Sequence, residues 1–137
     1  MQGKRLVHII LICFVLAAIG TTIFAWSVVS GVRKDARFTT ARLRLLTDAV
    51  VQYSAQSGGF PLGAEELLDG GDPHARRAMI EALSVVRVEW PIDRTVEPIL
   101  RVDGRPTEAG ALGLAAEALS QAASAVRART RVPPPTR

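Results

Sequence analysis

The stretch VVQYSAQSGGFPL, residues 50–62, reads as the end of a long helix. Apolar residues and Tyr53 are followed by Gly58-Gly59, then Phe60 and Pro61. Glycine accepts the left-handed conformation that closes a helix, and a proline just beyond it prevents resumption. Phe60 is expected to fold back near Val50 or Tyr53, so that Gly58, Gly59, Phe60 and Pro61 form one helix-terminating turn.

Upstream, the same helix continues without a break. Val29, Val32, Ala36, Thr39, Leu43, Leu46, Val50 and Tyr53 recur at alternating spacings of three and four, an apolar stripe on one helical face. Arg33, Lys34, Arg37, Arg44, Asp48 and Gln52 lie off that stripe. No glycine or proline interrupts from Val32 to Ser57. The expectation is one helix of about 50 residues, with Leu43, Leu46, Val50 and Tyr53 as its packing face. That face serves either a dimeric coiled coil or the chain's own domain.

Further upstream the texture becomes wholly apolar. From Leu6 to Val29 no charged residue occurs, and about 20 mainly apolar residues suffice to cross a bilayer. Leu6, Ile12, Val15, Phe24, Trp26 and Val29 mark the expected span, with Trp26 as an interfacial anchor. Lys4 and Arg5 also resemble the start of a secretory signal, but the apolar run outlasts the roughly 7–15 residues typical of one, so an uncleaved anchor is expected. Cys13, the only cysteine, lies inside the run, which excludes a disulfide framework or a cysteine metal site.

The net charge of +4 conceals an uneven distribution. Residues 1–44 carry +6, residues 45–117 carry −6 and residues 118–137 carry +4. An acidic middle argues against a nucleic-acid-binding domain, which needs its basic residues on one folded face. Basic residues beside a span read instead as phospholipid headgroup contacts. Lys and Arg are more numerous after the span than before it, which by the positive-inside rule favours a cytoplasmic C-terminal region.

Past the turn, PLGAEELLDG suggests a short helix with Glu65 and Glu66 at its dipole-favoured start. Gly70-Gly71 break it. Asp72-Pro73 then supply an N-cap and a first-turn proline for a second short helix, Ala75 to Leu83. Val85 to Trp90 alternates and is β-branched, so a strand is expected there, with a second from Glu97 to Gly104 and a loop or hairpin connection, WPIDRT, between them. From Thr107 the chain is alanine-rich, with Leu112, Ala115, Leu119, Ala122 and Val126 as a helical stripe and Thr107 placed to cap. The tail RTRVPPPTR is too basic and proline-rich to pack. The fold class expected is therefore α+β. A transmembrane helix (1–30) runs into an amphipathic spine (31–57), followed by a small domain of short helices and a few-stranded antiparallel sheet (58–105). A C-terminal helix (106–129) and a disordered tail (130–137) complete it.

These residues resemble the type IV pilin-like proteins, and most of all the major pseudopilin of type II secretion. The resemblance rests on Leu45-Leu46, Ala49-Val50, Tyr53, Gly59-Phe60-Pro61 and Leu67-Leu68, and on Pro91, Asp93 and Pro98 ahead of a strand. It covers about residues 6–104. The departures are specific. Gly3 precedes Lys4 and Arg5 instead of following a basic leader as the cut site, and no acid lies in the span. Thr95-Val96 stand where the family has Trp-Gly, and nothing after Asp103 offers the 6–8 oxygen ligands that calcium takes. The resemblance implies a structural subunit of a type II secretion or type IV pilus-like assembly in a bacterial inner membrane. Its domain would be periplasmic, against the charge count. The implied partners are the phospholipid membrane and either further copies or other pilin-like subunits. The alternative is a non-polymerising single-pass adaptor that binds a partner through its C-terminal helix or tail.

No enzyme is expected. His8 lies at the membrane edge and His74 in a helix start, and Asp69, Asp72 and His74 read as turn and cap residues more simply than as metal ligands. No phosphate-binding glycine loop, nucleophile elbow or helical ligand pair occurs. Cofactors, nucleic acid and a small-molecule substrate are accordingly not expected.

Overall fold

The computed structural model describes residues 2–69 and 71–131, with side chains described from residue 7 onward. The fold is α+β. A long helix α1 (Gln2–Ser57) is followed by α2 (Ala64–Leu68), α3 (Pro73–Val85), β1 (Arg87–Glu89), β2 (Ile99–Arg101) and α4 (Ala111–Thr130). By its contacts the chain divides between Lys34 and Asp35 into two units, each described by itself below.

The first unit is the helix up to Lys34. From Val7 to Lys34 every residue is exposed except the half-buried Ser30.

The second unit has the core. Along α1, Thr39, Thr40, Leu43, Leu46, Thr47, Val50 and Ser54 are buried, a face repeating every three or four residues. Leu43 and Leu46 pack with Met79, Ala82 and Val86 from α3 and its end, and with Ala111 and Ala115 from α4. Val50 packs with Phe60, Leu119, Ala123 and Val126. Thus α4 runs beside α1 in the same direction, and Arg129 Nη1 finishes the pairing by donating to the Ala55 carbonyl at 2.9 Å. Hydroxyls on the buried face find partners both within α1 and in the segment ahead of α4. Thr47 Oγ1 donates to Leu43 O (2.8 Å), and Thr40 Oγ1 accepts the Glu108 amide (2.9 Å). A buried hydroxyl left unpaired would be costly, so these bonds are what allow threonine on a packing face.

The sheet is a two-stranded antiparallel pair with Arg87 opposite Arg101, Val88 opposite Leu100 and Glu89 opposite Ile99. Val88 and Leu100 turn toward the core, while the outer face carries ion pairs, Arg101 with Glu89 at 3.2 Å and Arg87 with Asp103 at 3.6 Å. Both strands are three residues long, shorter than the alternation suggests. The difference has two causes. Val85 remains in α3, whose last turn closes through the Val86 amide on Ala82 O, and Pro98 breaks the second run before Ile99.

Several expectations are corrected. The second short helix begins at Pro73 and reaches Val85, with Asp72 accepting from the His74 amide at 3.0 Å. Thr107 does not cap α4. That helix starts four residues later, behind Gly110 in the left-handed conformation (φ 79°), with no side-chain cap. The buried face of α4 is Ala111, Ala115, Leu119, Ala123 and Val126. Leu112 is exposed and Ala122 only partly buried. The helix continues through Thr130, so the expected tail loses its first residue to α4, and 132–137 lie outside the described residues, as does Gly70.

Candidate functional site

Two surfaces stand apart from ordinary packing, one on each unit. On the first unit, Phe14, Phe24 and Trp26 are each more than 70% exposed, and Ile12, Val15, Ile19, Ile23, Val28 and Val29 are exposed on the remaining sides of the helix. A helix that is apolar all round is one that water does not surround. Three of its four hydroxyls, those of Thr21, Thr22 and Ser30, fit that surrounding too. Thr21 and Thr22 both donate to Ala18 O (2.9 and 2.8 Å), and Ser30 donates to Ser27 O (2.9 Å). No hydroxyl donor among these three depends on solvent, as hydrocarbon requires. Ala18 and Thr22 form the floor of a shallow apolar groove walled by Phe14, Val15, Ile19 and Ile23. The helix is long and apolar enough to cross a membrane. Leu6, expected to open the span, has no described side chain.

On the second unit the notable constellation lies at the helix-terminating turn. Gly58 has φ 75° and donates its amide to Ser54 O at 3.0 Å, the left-handed closure of α1. Gly59 serves differently. A Cβ there would lie 2.9 Å from the Cβ of Arg94, so the second glycine allows loop 90–98 to approach. That approach is fixed by the Phe60 amide donating to Arg94 O at 2.7 Å. Phe60 and Pro61 are then buried, Phe60 against Val50.

Tyr53 does not join the core. It is half-buried at the rim, and Ser54 occupies the buried position one residue on. The reason is its hydroxyl, which needs a polar partner and donates to Glu66 Oε2. Arg94 completes the group, with Nη2 on Glu66 Oε1 at 2.8 Å, Nη1 on Glu66 Oε2 at 3.0 Å, and Nη1 on the Tyr53 hydroxyl oxygen at 3.1 Å. This is a bidentate guanidinium–carboxylate pair with a phenol bound to the same carboxylate. The Tyr53 hydrogen bond, and next the Arg94 contacts, hold the Glu66 carboxyl below the ordinary carboxylate range. The same partners hold the Arg94 guanidinium above its ordinary value. A saturated trio of this kind ties α1, α2 and loop 90–98 together. Its polar groups already satisfy one another, and the role that follows is mechanical.

Sequence reasoning places Tyr53 at the turn but pairs it with neither Glu66 nor Arg94. Glu66 is explained in sequence by the helix dipole alone, and Arg94 sits in a loop whose path no periodicity constrains. Asp93, by contrast, is legible: its carboxylate accepts the Thr95 amide at 3.0 Å, ordinary turn chemistry. Asp69, Asp72 and His74 do not converge. Among the described residues no group of three or more His, Cys, Asp or Glu side chains is placed to hold a metal ion. A shallow groove of about 150 Å³ between β2 and α4 is lined by Pro98, Leu100, Leu112, Ala115 and Leu119 with Glu97 at its side. No family model, no curated protein and no solved structure matches this chain.

Proposed function

We propose that this protein is a membrane-anchored, pseudopilin-like structural subunit of a type II secretion or type IV pilus-like assembly. Its first unit spans a bacterial inner membrane once, and its second unit lies on the periplasmic side. The observation that carries this reading is the helix surface from Val7 to Val32, apolar and exposed on every side. Such a surface is stable only against lipid or against like helices. The glycine-closed spine with Tyr53, Phe60 and Pro61, on which the pilin resemblance rests, supports it further.

The reading is one of assembly, not catalysis. The polar trio at the turn is engaged internally. The adaptor alternative finds less support in α4, which spends its apolar stripe on α1 and offers a partner mainly Leu112 and Leu114, while residues 132–137 of the tail that it also invokes lie outside the described residues.

Cysteines placed singly at Val29 or Val32, in a Cys13→Ser chain, test assembly in intact membranes. Oxidative crosslinking is expected to give a disulfide-linked dimer of like subunits, the largest product that one thiol per chain can form. Adducts exclusively with other proteins would sink the structural-subunit reading. For orientation, an enzyme active only outside the cytoplasm, fused after Arg137, is expected to be active, and silence would reverse the topology.

A further inference from the structure

From Trp26 onward the first unit sorts its residues by side. Trp26, Ser30 and Arg33 follow one another at spacings of four and three, which sets them on one side of the helix, with Ser27 and Lys34 beside them. Ala25, Val28 and Val32, spaced by three and four, share the opposite side. Both sides are open: Trp26 is 74% exposed and Val32 50%, and Arg33 and Lys34 are exposed. One hydroxyl is left over. Among the described residues Ser27 Oγ has no hydrogen-bond partner, unlike the hydroxyls of Thr21, Thr22 and Ser30, and Ser27 lies toward the Trp26 side. Arg33 and Lys34 make no ion pair among the described residues.

We propose that residues 26–34 form an oblique interfacial surface of the single subunit in a phospholipid bilayer. The side of Trp26, Ser27, Ser30, Arg33 and Lys34 turns to the headgroup phosphates, and the side of Val28 and Val32 turns to the acyl chains. The inference rests on the membrane reading above and adds the tilt and rotation of the span. The uncharged run from Leu6 to Val32 is about 40 Å long at helical rise, against a hydrocarbon core of about 30 Å. A run longer than the core tilts, and its interfacial residues set the direction. Were the helix upright with Trp26 at the boundary, Val28 and Val32 would stand among headgroups and water. Tilting toward the valine side sinks them below that boundary and lifts the opposite side. There an indole N–H, a free hydroxyl and two cations meet the polar groups they need. Left in hydrocarbon, the Ser27 hydroxyl would be costly. The Cα–Cβ bonds of Arg33 and Lys34 lean toward the helix N-terminus, so both cations reach back to the phosphates bordering the apolar run. Charge decides the occupant. No acid occurs before Asp35, so the same unit of a second copy has nothing to pair with these cations, whereas phospholipid supplies a phosphate to each.

The test uses the full chain in vesicles of phosphatidylcholine and phosphatidylglycerol, diluted so that chains do not meet. Single nitroxide labels are attached at Ser30→Cys or Val32→Cys in a Cys13→Ser chain. Collision with dissolved oxygen, which concentrates among acyl chains, is compared with collision with a water-soluble nickel chelate present on both faces. Val32 lies farther along the chain than Ser30, so an upright helix makes it the more chelate-exposed label. The oblique surface reverses that order, with an oxygen-to-chelate ratio expected to be several-fold higher at Val32. Arg33→Gln combined with Lys34→Gln is expected to narrow the difference, and an unchanged difference overturns the role of the two cations. Equal depths, or Ser30 as the deeper label, overturn the proposal. So does shielding of Val32 from both quenchers, which would put a protein on that side. A third label, at Val15→Cys, reads the span itself. If Val15 is protected from the chelate while Ser30 is the deeper of the other two, the span stands and the oblique surface falls. Chelate access at Val15 removes both.

Discussion

Gly58 and Gly59 look interchangeable in sequence, and the fold separates them. Gly58 holds a left-handed backbone with open space around the missing side chain, whereas Gly59 faces the Arg94 Cβ. Gly58→Ala is therefore expected to cost about 1–2 kcal/mol through backbone strain alone. Gly59→Ala should cost about 1–3 kcal/mol through overpacking, and should also loosen loop 90–98. Urea unfolding compares the two stabilities, and amide exchange at Phe60 reads the loop, rising for Gly59→Ala only. Glu66 gives a pH prediction. Its folded-state carboxyl is held below its unfolded value, so the stability it contributes is present above the unfolded carboxylate range. That contribution is lost as pH falls through the lower folded value. Glu66→Gln, and more mildly Tyr53→Phe, should flatten this acid limb in unfolding curves taken across pH 6 to about pH 2, where ordinary carboxylates titrate. An unchanged limb in Glu66→Gln would remove the trio from the account.

At the scale of elements, α4 shows how a legible pattern can find a face and still miss its edges. Leu112, Ala115, Leu119, Ala122 and Val126 fit a helical stripe, and so do Ala111, Ala115, Leu119, Ala123 and Val126. The two share Ala115, Leu119 and Val126 and differ only at 111 against 112 and 122 against 123, and periodicity cannot choose between such neighbours in an alanine-rich segment. The partner chooses. The α1 face opposite carries Thr40, Leu43 and Val50, against which the small Ala111, Ala115 and Ala123 are buried. Ala123 is 1% exposed and Leu112 is 42% exposed. Ala123→Leu is thus expected to destabilise by about 1–3 kcal/mol through overpacking, while Leu112→Ala changes stability by about 0.5 kcal/mol or less. Thermal unfolding of both variants checks the ranking, and a reversed order would place the stripe on the other face. For α1 the assignment is less ambiguous, since Leu43, Leu46 and Val50 alternate with Arg44, Asp48 and Gln52. The exception is Tyr53, where the rim position depends on partners 13 and 41 residues away.

For the whole molecule, the decisive contrast is between a unit that buries its apolar residues and a unit that exposes nearly all of them. The second unit builds its core from α1, α3, α4 and the residues after the glycine turn, while from Val7 to Lys34 every side chain but the half-buried Ser30 is exposed. Ile19→Arg, in the middle of the apolar run, is expected to cost about 2.5–3.5 kcal/mol of membrane insertion. Carbonate extraction should then move a large share of the chain out of the membrane pellet, and full retention would argue against a span.

What the sequence determined by itself is whatever depends on neighbours along the chain. The apolar run, the uninterrupted α1 and its end at the glycines followed by Pro61, the Asp72-Pro73 start of α3 and the α+β class all follow from local sterics, hydrogen bonding and short-range periodicity. Tertiary structure alone decided which stripe of α4 is buried, how short the strands are, why the second glycine is needed and what Tyr53 binds. Each of these depends on a surface brought near by folding: the α1 face beside α4, the Arg94 Cβ beside Gly59, the Glu66 carboxylate beside Tyr53. Such contacts join residues of different segments, 13 positions apart for Tyr53 and Glu66 and many more for the others, and no periodicity within a single segment encodes the identity of the partner.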